Sequence, residues 1–227
     1  MEPEAIRPPL NEIHTCRLCQ RLVAWREEVA LKKRRAYRDW DYWGKPVPGF
    51  GDPDGRIMVV GLAPGAHGSN RTGRVFTGDS SGVYLYRALY RAGFANQPTA
   101  VHRADGLVLI DVYITAVCHC VPPDNKPASQ EIANCQPYLI EEIQRAVHLQ
   151  GFVVLGKIAL DGLVAALKAV QIRPPKMEFG HERFYSLGEG LPWLLLSYHP
   201  SQQNTQTGRL TEAMFDQVWG TAKKLLR

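Results

Sequence analysis

The 227-residue sequence lacks any apolar stretch of the ~20 residues that a membrane-spanning helix needs. Lys157 and Asp161 interrupt the best candidate stretch. The first ten residues, MEPEAIRPPL, contain no apolar core of the kind that defines a secretory signal peptide. These absences predict a cytoplasmic protein that does not enter a membrane, and we take a monomer as the default oligomeric state.

The sequence also lacks the usual nucleotide-binding signatures. Residues 61–80, GLAPGAHGSNRTGRVFTGDS, hold five glycines directly after the apolar run RIMVV. The stretch contains no GxxxxGK[ST] pattern, and its glycines do not give GxGxxG at the end of the apolar run. This argues against an enzyme that acts on a free nucleotide such as ATP, GTP or a dinucleotide. Internal repeats and low-complexity segments are missing as well.

Four unbroken Val/Ile/Leu-rich runs predict strands that are covered on both faces, as in parallel sheets. Helical patterns separate them, so strands and helices alternate. The expected fold is a three-layer α/β/α sandwich around a four-stranded parallel sheet, in a single domain over residues 1–227. Residues 1–55 would form an N-terminal helix and connector, and residues 56–227 the core. The predicted strands are Arg56–Gly61, Leu107–Val117, Phe152–Gly156 and Trp193–Tyr198, and the predicted core helices are Ser81–Gly93, Ser129–His148, Lys157–Val170 and Thr211–Leu226.

Positive charge is concentrated near the N-terminus. Residues 17–38 contain eight Lys and Arg residues against Glu27 and Glu28, whereas the whole chain has a net charge of +5. We expect one basic helix over residues 11–38. Such a stripe attracts a phosphate backbone, although charge alone is also compatible with an ordinary solvated helix face.

The five cysteines argue for a metal rather than for disulfides in a cytoplasmic chain. Cys16 and Cys19 have Cys-x2-Cys spacing, and Cys120 and Cys135 lie on either side of a proline-rich loop that leads into a helix. Four thiolates of this kind predict a tetrahedral zinc site or a [4Fe–4S] cluster, and the spacing does not choose between them. Cys118, two residues before Cys120, is an equally good third ligand by spacing alone.

Two loops follow predicted strands on what should be the same edge of the sheet. In the glycine-rich loop, backbone N–H groups, Arg71 and Arg74 would suit an anion, and Phe76 would suit a flat heterocycle. The second loop, YHPSQQNTQTGR, places His199 at a strand end. A lone histidine is often structural, but this position also suits a group that stabilises an anion.

Taken together, GLAPGAHGSNRTGRVFTGD, YHPSQQNTQTGRL and the spacing of Cys16, Cys19, Cys120 and Cys135 closely resemble the iron–sulfur uracil-DNA glycosylases. The resemblance is to the family 5, or type B, branch, and it runs from about Cys16 to Leu210. It implies a sandwich fold and a monofunctional enzyme that flips uracil out of DNA and hydrolyses its N-glycosidic bond. It also implies a structural [4Fe–4S] cluster that ties the N-terminal basic helix to the core, with Cys120 rather than Cys118 as the third ligand.

The resemblance further implies a set of site residues. His199 would donate a hydrogen bond to the uracil carbonyl next to the broken bond, and Asn125 would read the uracil edge. The remaining candidates are the base and sugar contacts Gly61, Leu62, Ala63, Gly65, His67 and Phe76, the phosphate contacts Arg71 and Arg74, and the duplex-wedging loop residues Ser201, Gln202, Gln203 and Asn204.

Two departures put simple general-base catalysis in doubt. Leu62 and Ala63 occupy the place where many glycosylases carry a carboxylate or amide, and Ala116 replaces an asparagine found in the type A branch. Asp79 is the remaining acidic candidate. It would either orient water or stabilise the sugar cation, or it would cap the helix that begins near Ser81.

The sequence thus predicts a DNA-repair glycosylase for uracil-containing DNA. Deaminated purines such as hypoxanthine are further expected substrates, because the type B branch is broadly tolerant. The competing interpretation is a zinc- or cluster-stabilised nucleic-acid-binding module without catalysis. The pairing of the glycine-rich loop with His199 favours the enzyme.

Overall fold

A computed structural model of the chain describes residues 7–227. Residues 1–6 lie outside the described residues, and with them the start of the predicted domain and most of the segment in which we expected no signal peptide. The core is a single six-stranded sheet in the order β1-β3-β2-β4-β6-β5. Its strands are β1 (Phe50–Gly51), β2 (Ile57–Gly61), β3 (Val112–Ala116), β4 (Gly151–Leu155), β5 (Phe184–Ser186) and β6 (Trp193–Ser197).

The predicted four-stranded parallel sheet requires a correction, because the sheet is mixed. The four central strands run parallel, but β1 and β5 pair antiparallel at the two edges. The edge strands are only two and three residues long and are partly or largely exposed. They carry no apolar run, which is why the pattern of buried strands did not include them.

Seven α-helices lie among the described residues: α1 (Gln20–Lys32), α2 (Ser69–Thr72), α3 (Ser80–Ala92), α4 (Ser129–Arg145), α5 (Lys157–Ala169), α6 (Gln202–Gln206) and α7 (Glu212–Leu225). Successive strand residues point to opposite faces of a sheet, so the central strands build two cores. In β2, Ile57 and Val59 pack with α3 and α7, whereas Met58 and Val60 pack with α4 and α5. The result is a helix–sheet–helix sandwich. None of these helices is both long and apolar enough to cross a membrane.

The basic segment is not one helix over residues 11–38, as the sequence predicted. It begins with a 3-10 helix at Leu10–Thr15, continues as α1, and ends with a 3-10 turn at Arg35–Tyr37. Lys33, with φ at 51°, terminates α1 in a conformation that side-chain-bearing residues rarely adopt. The turn bends the chain back toward the carboxyl ends of the central strands.

Candidate active site

A cavity of about 770 Å³ opens at the carboxyl ends of β2, β3 and β6. This is the edge where ligands bind in open α/β sheets. It brings together most of the predicted site residues from segments that are far apart in the sequence. The predicted residues on its wall are Gly61, Leu62, Ala63, Gly65, His67, Phe76, Asp79, Asn125, His199, Ser201, Gln202 and Gln203.

Asp79 occupies the end of the glycine-rich loop, where it caps α3. Its Oδ1 accepts the backbone N–H of Gly82 at 2.9 Å. Its Oδ2 lies beside two glycines of the cavity wall: a Cβ at Gly68 would overlap the carboxylate, and one at Gly65 would come within 3.0 Å of Oδ2. Burial raises the pKa of Asp79, partly opposed by the Gly82 N–H and the charge of Arg71. The cap on α3 uses Oδ1, and Oδ2 lies against the glycine-rich wall, so capping is present and the catalytic role stays a prediction.

His199 follows β6 on the opposite wall of the cavity. Its ring tilts against Phe76 with 5.7 Å between the ring centroids, and Phe76 itself packs against Gly61. Burial lowers the pKa of His199 to about 4, so the imidazole is neutral at pH 7. A neutral ring has one N–H to donate. Neither ring nitrogen has a hydrogen-bond partner within residues 7–227, so this donor is available to a bound molecule.

Asn125 ends a 3-10 turn, Pro123–Asn125, which leads toward α4. Asp124 and Asn125 both have left-handed backbone conformations, with φ at 54° and 56°. Strained residues of this kind are often functional, and both lie on the cavity wall. The Asn125 side chain is exposed, so its carboxamide is free to both donate and accept hydrogen bonds.

Arg71 and Arg74, the two predicted phosphate contacts, are interior residues, 3% and 4% exposed. Arg71 donates to the carbonyls of His67 and Gly78 and packs on the rings of Tyr37 and Trp40. Neither arginine lines the cavity, and neither guanidinium reaches the surface. The structure thus does not support direct phosphate contact for either residue.

Arg74 forms a two-fold hydrogen-bonded ion pair with Asp105, with both N–O distances at 2.8 Å. Burial alone would raise the pKa of Asp105. Arg74 and the backbone N–H groups of nearby loop residues outweigh it and hold the pKa at about 2. The pair fastens the 61–80 loop to the segment before β3.

The Asp105→Asn variant should therefore lose about 2 kcal/mol of unfolding free energy, because it leaves a buried guanidinium without its counterion. We expect a melting temperature roughly 4–8 °C lower at neutral pH, measured by circular dichroism. The pKa of Asp105 is depressed from 3.8, so this stabilisation is present above about pH 4 and is lost as the pH falls toward 2. Asp216→Asn, which breaks a surface pair with Arg91, is the matched control and should cost under ~1 kcal/mol.

Asn204, one of the predicted wedging residues, makes contacts within its own loop. Its side-chain amide donates to the His199 carbonyl at 2.9 Å, and its backbone N–H is capped by the Ser201 hydroxyl at 3.3 Å. Asn204 therefore holds the turn after His199, while Gln202 and Gln203 beside it are exposed and line the cavity.

Sequence reasoning missed Arg34 and Tyr37, which contribute a wall of the cavity. Nearby, the Tyr42 hydroxyl hydrogen-bonds His67 Nδ1 at 3.1 Å, and burial followed by the charges of Arg34 and Arg71 lowers the pKa of His67. The signal for this wall was the aromatic residues placed directly after the basic run.

A comparison with protein families decides which family this fold and cavity represent. Residues 48–223 match the family described as the uracil DNA glycosylase superfamily. The chain belongs to this superfamily.

Individual relatives agree with this placement. The chain is 50% identical over 216 residues to a type-5 uracil-DNA glycosylase of Thermus thermophilus, covering 95% of this chain and 96% of the relative. It is 50% identical over 214 residues to a type-5 uracil-DNA glycosylase of Mycobacterium tuberculosis, covering 94% and 79%. A type-4 uracil-DNA glycosylase of Pyrobaculum aerophilum is 34% identical over 138 residues, covering 60% and 59%. The resemblance to the type B branch is thus confirmed.

The cysteines of this superfamily member lie in one region beside α1 and α4. Cys16, Cys120 and Cys135 are buried and Cys19 is half-buried, and none forms a disulfide. As their side chains stand, no three Cys, His, Asp or Glu residues within 7–227 are arranged to hold a metal ion. Cys118 is buried in contact with Cys135, so the structure does not separate Cys118 from Cys120 as a candidate ligand.

Hydrogen bonds to these sulfur atoms bear on whether the site suits a thiolate-bound metal. Arg26 Nη1 donates to Cys120 Sγ at 2.9 Å, and Asn134 Nδ2 donates to Cys19 Sγ at 3.4 Å. Arg26 is 2% exposed, and its nearest carboxylate, that of Glu27, is 4.0 Å away and hydrogen-bonded to Arg17. A buried cation without a close counterion is costly. Negative charge on the surrounding sulfurs would compensate it, and in this respect the residues fit a thiolate-ligated group.

Proposed function

We propose that this chain is a monofunctional uracil-DNA glycosylase that extrudes uracil from DNA and hydrolyses its N-glycosidic bond, leaving an abasic site. Membership of the uracil DNA glycosylase superfamily and the type-5 relatives support this activity. The observation that carries it in the structure is the cavity that joins Asp79, Asn125 and His199 around one space. A binding module without catalysis would not need to bring these groups together.

His199 would act on the leaving base. When the bond between C1′ and N1 breaks, its electron pair passes to the uracil, and negative charge develops on the carbonyl oxygen next to N1. The neutral imidazole of His199 has a free N–H to donate to this oxygen, and the tilted Phe76 ring beside it would stack on the base. A donor that strengthens as charge develops lowers the barrier without being consumed.

The sugar is left as an oxocarbenium ion, and Asp79 would serve this side of the reaction. Its carboxylate would stabilise the cation or orient the water that adds to C1′, and the proton of that water would leave to the carboxylate or to solvent. The Asn125 carboxamide would hold the uracil edge. Gln202 and Gln203 would enter the space that the extruded base vacates in the duplex.

The test is incubation of the purified protein with duplex DNA that carries uracil opposite guanine, followed by alkaline cleavage at abasic sites. We expect one strand break at the uracil and none in a matched duplex with cytosine at that position. If the uracil-containing strand stays intact, the glycosylase proposal is wrong, and a nucleic-acid-binding protein without catalysis is the remaining interpretation.

The range of bases is part of the proposal. Ala116 is a small residue on the cavity wall, so no carboxamide at this place selects the uracil edge. We therefore include hypoxanthine among the substrates. The same assay with hypoxanthine opposite thymine tests this extension separately from uracil removal.

The cofactor proposal is a structural [4Fe–4S] cluster held by Cys16, Cys19, Cys120 and Cys135. It is supported by the thiol donor set and by the N–H groups of Arg26 and Asn134 that face sulfur atoms. Such a cluster would join the N-terminal segment to α4, and it would supply this covalent link rather than a step of the reaction. Brown protein with iron rather than zinc on metal analysis supports the cluster, and zinc alone overturns it.

The Arg26→Gln variant tests the role of the buried cation at this site. Loss of the positive charge should speed the release of iron to a chelator by about fivefold or more, because hydrogen bonds to sulfur ligands typically stabilise metal sites. Iron release is followed by the visible absorbance. Lys32→Gln, an exposed residue of the same helix, is the control and should release iron at the wild-type rate. An equal rate in the Arg26 variant would contradict the countercharge role.

A further inference from the structure

The basic stripe of residues 17–38 separates into two groups in the structure. Its first half is occupied by intramolecular contacts: Arg17 pairs with Glu27, Arg21 with Glu131 and Lys32 with Glu28, and Arg26 is buried. Its second half follows the end of α1. It contains four cationic residues, Lys33, Arg34, Arg35 and Arg38. None of the four forms an ion pair with another residue of 7–227.

Of these four, Arg34 alone lines the active-site cavity. It is also the only Lys or Arg among the lining residues within 7–227, since Arg71 and Arg74 are interior. The remaining ionisable side chains on the wall include Asp79 and Asp124, which would repel a phosphate. A DNA strand that places a base in this cavity must bring its phosphates to the rim, where their charge needs a cation.

The segment that carries Arg34 is fixed against the cavity rather than loosely attached. The Arg71 guanidinium contacts the rings of Tyr37 and Trp40, with 3.9 Å and 4.0 Å from its Cζ to the ring centroids, and the two rings lie nearly perpendicular to each other. The backbone N–H of Arg34 donates to the Tyr42 hydroxyl at 3.4 Å, and this hydroxyl also bonds His67. Arg71 is therefore buried beneath the segment after α1 and holds it in place through cation–π contacts with Tyr37 and Trp40. Its effect on substrate binding would be indirect, through the position of Arg34.

We propose that Arg34 binds a DNA phosphate that directly flanks the extruded nucleotide. The proposal rests on the proposed glycosylase function. Because Arg71 and Arg74 are interior, it assigns the phosphate contact to Arg34 instead. The ligand is a phosphodiester, which an exposed guanidinium binds through paired N–H donors.

The experiment pairs the Arg34→Gln variant with DNA in which one flanking phosphate is replaced by an uncharged methylphosphonate. Binding is measured with duplexes that carry a non-cleavable uracil analogue, with the substitution 5′ or 3′ of the analogue. We expect the wild type to lose about tenfold in affinity with one of the two substituted duplexes. The Arg34→Gln variant should bind the unmodified duplex about tenfold more weakly than the wild type does. The methylphosphonate that weakens wild-type binding should weaken binding by the variant by less than ~2-fold.

Arg35→Gln is the matched control, because Arg35 is the exposed neighbour that does not line the cavity. Its response to both methylphosphonates should equal that of the wild type. If the fold-losses in affinity caused by Arg34→Gln and by each methylphosphonate multiply when the two changes are combined, the two act independently and the assignment of Arg34 is wrong. This outcome differs from failure of the proposed function, in which the wild type itself would not excise uracil. Arg34 is exposed, so equal melting temperatures should show that the variant is folded.

Discussion

Replacement of Asp79 by asparagine is expected to reduce the single-turnover rate of uracil excision by about 10³-fold while the protein stays folded. The asparagine oxygen still accepts the Gly82 N–H, so the cap on α3 is kept and only the charge is lost. Asp79→Ala should lose a similar amount of activity and, in addition, about 1 kcal/mol of stability from the missing cap. Single-turnover cleavage and thermal melting of both variants separate the two roles of this residue.

The pH profile gives an independent readout of the same group. Burial raises the pKa of Asp79 above 3.8, so wild-type activity should fall on the acid side as the carboxylate is protonated. The asparagine variant carries no carboxylate at this position, so it should lose this acid limb. Near-normal excision by Asp79→Asn would restrict Asp79 to its structural role as a helix cap.

Removal of the His199 imidazole is the second large effect. His199→Ala should lower the single-turnover rate by about 10²-fold, the usual cost of one donor to a developing oxyanion. Substrate affinity should change little, because the hydrogen bond strengthens mainly in the transition state. Since the pKa of His199 is lowered to about 4, the wild-type rate should show no step near pH 6.5.

His148→Ala is the control for this variant, since His148 is an exposed histidine outside the cavity. It should retain full activity. A loss of less than threefold in His199→Ala would remove the histidine from the reaction, and Asn125 and Asp79 would then be the remaining groups to test.

Much of this architecture follows from local sequence patterns. The central strands are unbroken apolar runs, and such runs predict buried strands whose trailing loops meet at one edge of the sheet. That reasoning alone places the glycine-rich loop near His199. The edge strands β1 and β5 were missed because two or three partly exposed residues carry no periodic signal.

The burial of Arg71 and Arg74 could not be predicted from the sequence. Arg71 and Arg74 look like surface cations in a glycine-rich loop, and only tertiary contacts make them interior. Asp105, the partner of Arg74, is 31 residues away along the chain, and the rings that pack on Arg71 belong to the segment before the core. Local sequence offers no way to distinguish an arginine that will meet DNA from one that will meet its own chain.

The wall formed by Arg34 and Tyr37 has a practical consequence for defining the smallest working unit. The match to the superfamily begins at residue 48, so a fragment cut at that residue excludes this wall together with Cys16 and Cys19. A fragment trimmed to residues 48–223 would retain all six strands and the three candidate catalytic residues, but it would have an incomplete cavity. The superfamily match therefore does not define the smallest working unit, and the type-5 relative from Thermus thermophilus aligns over 95% of the chain.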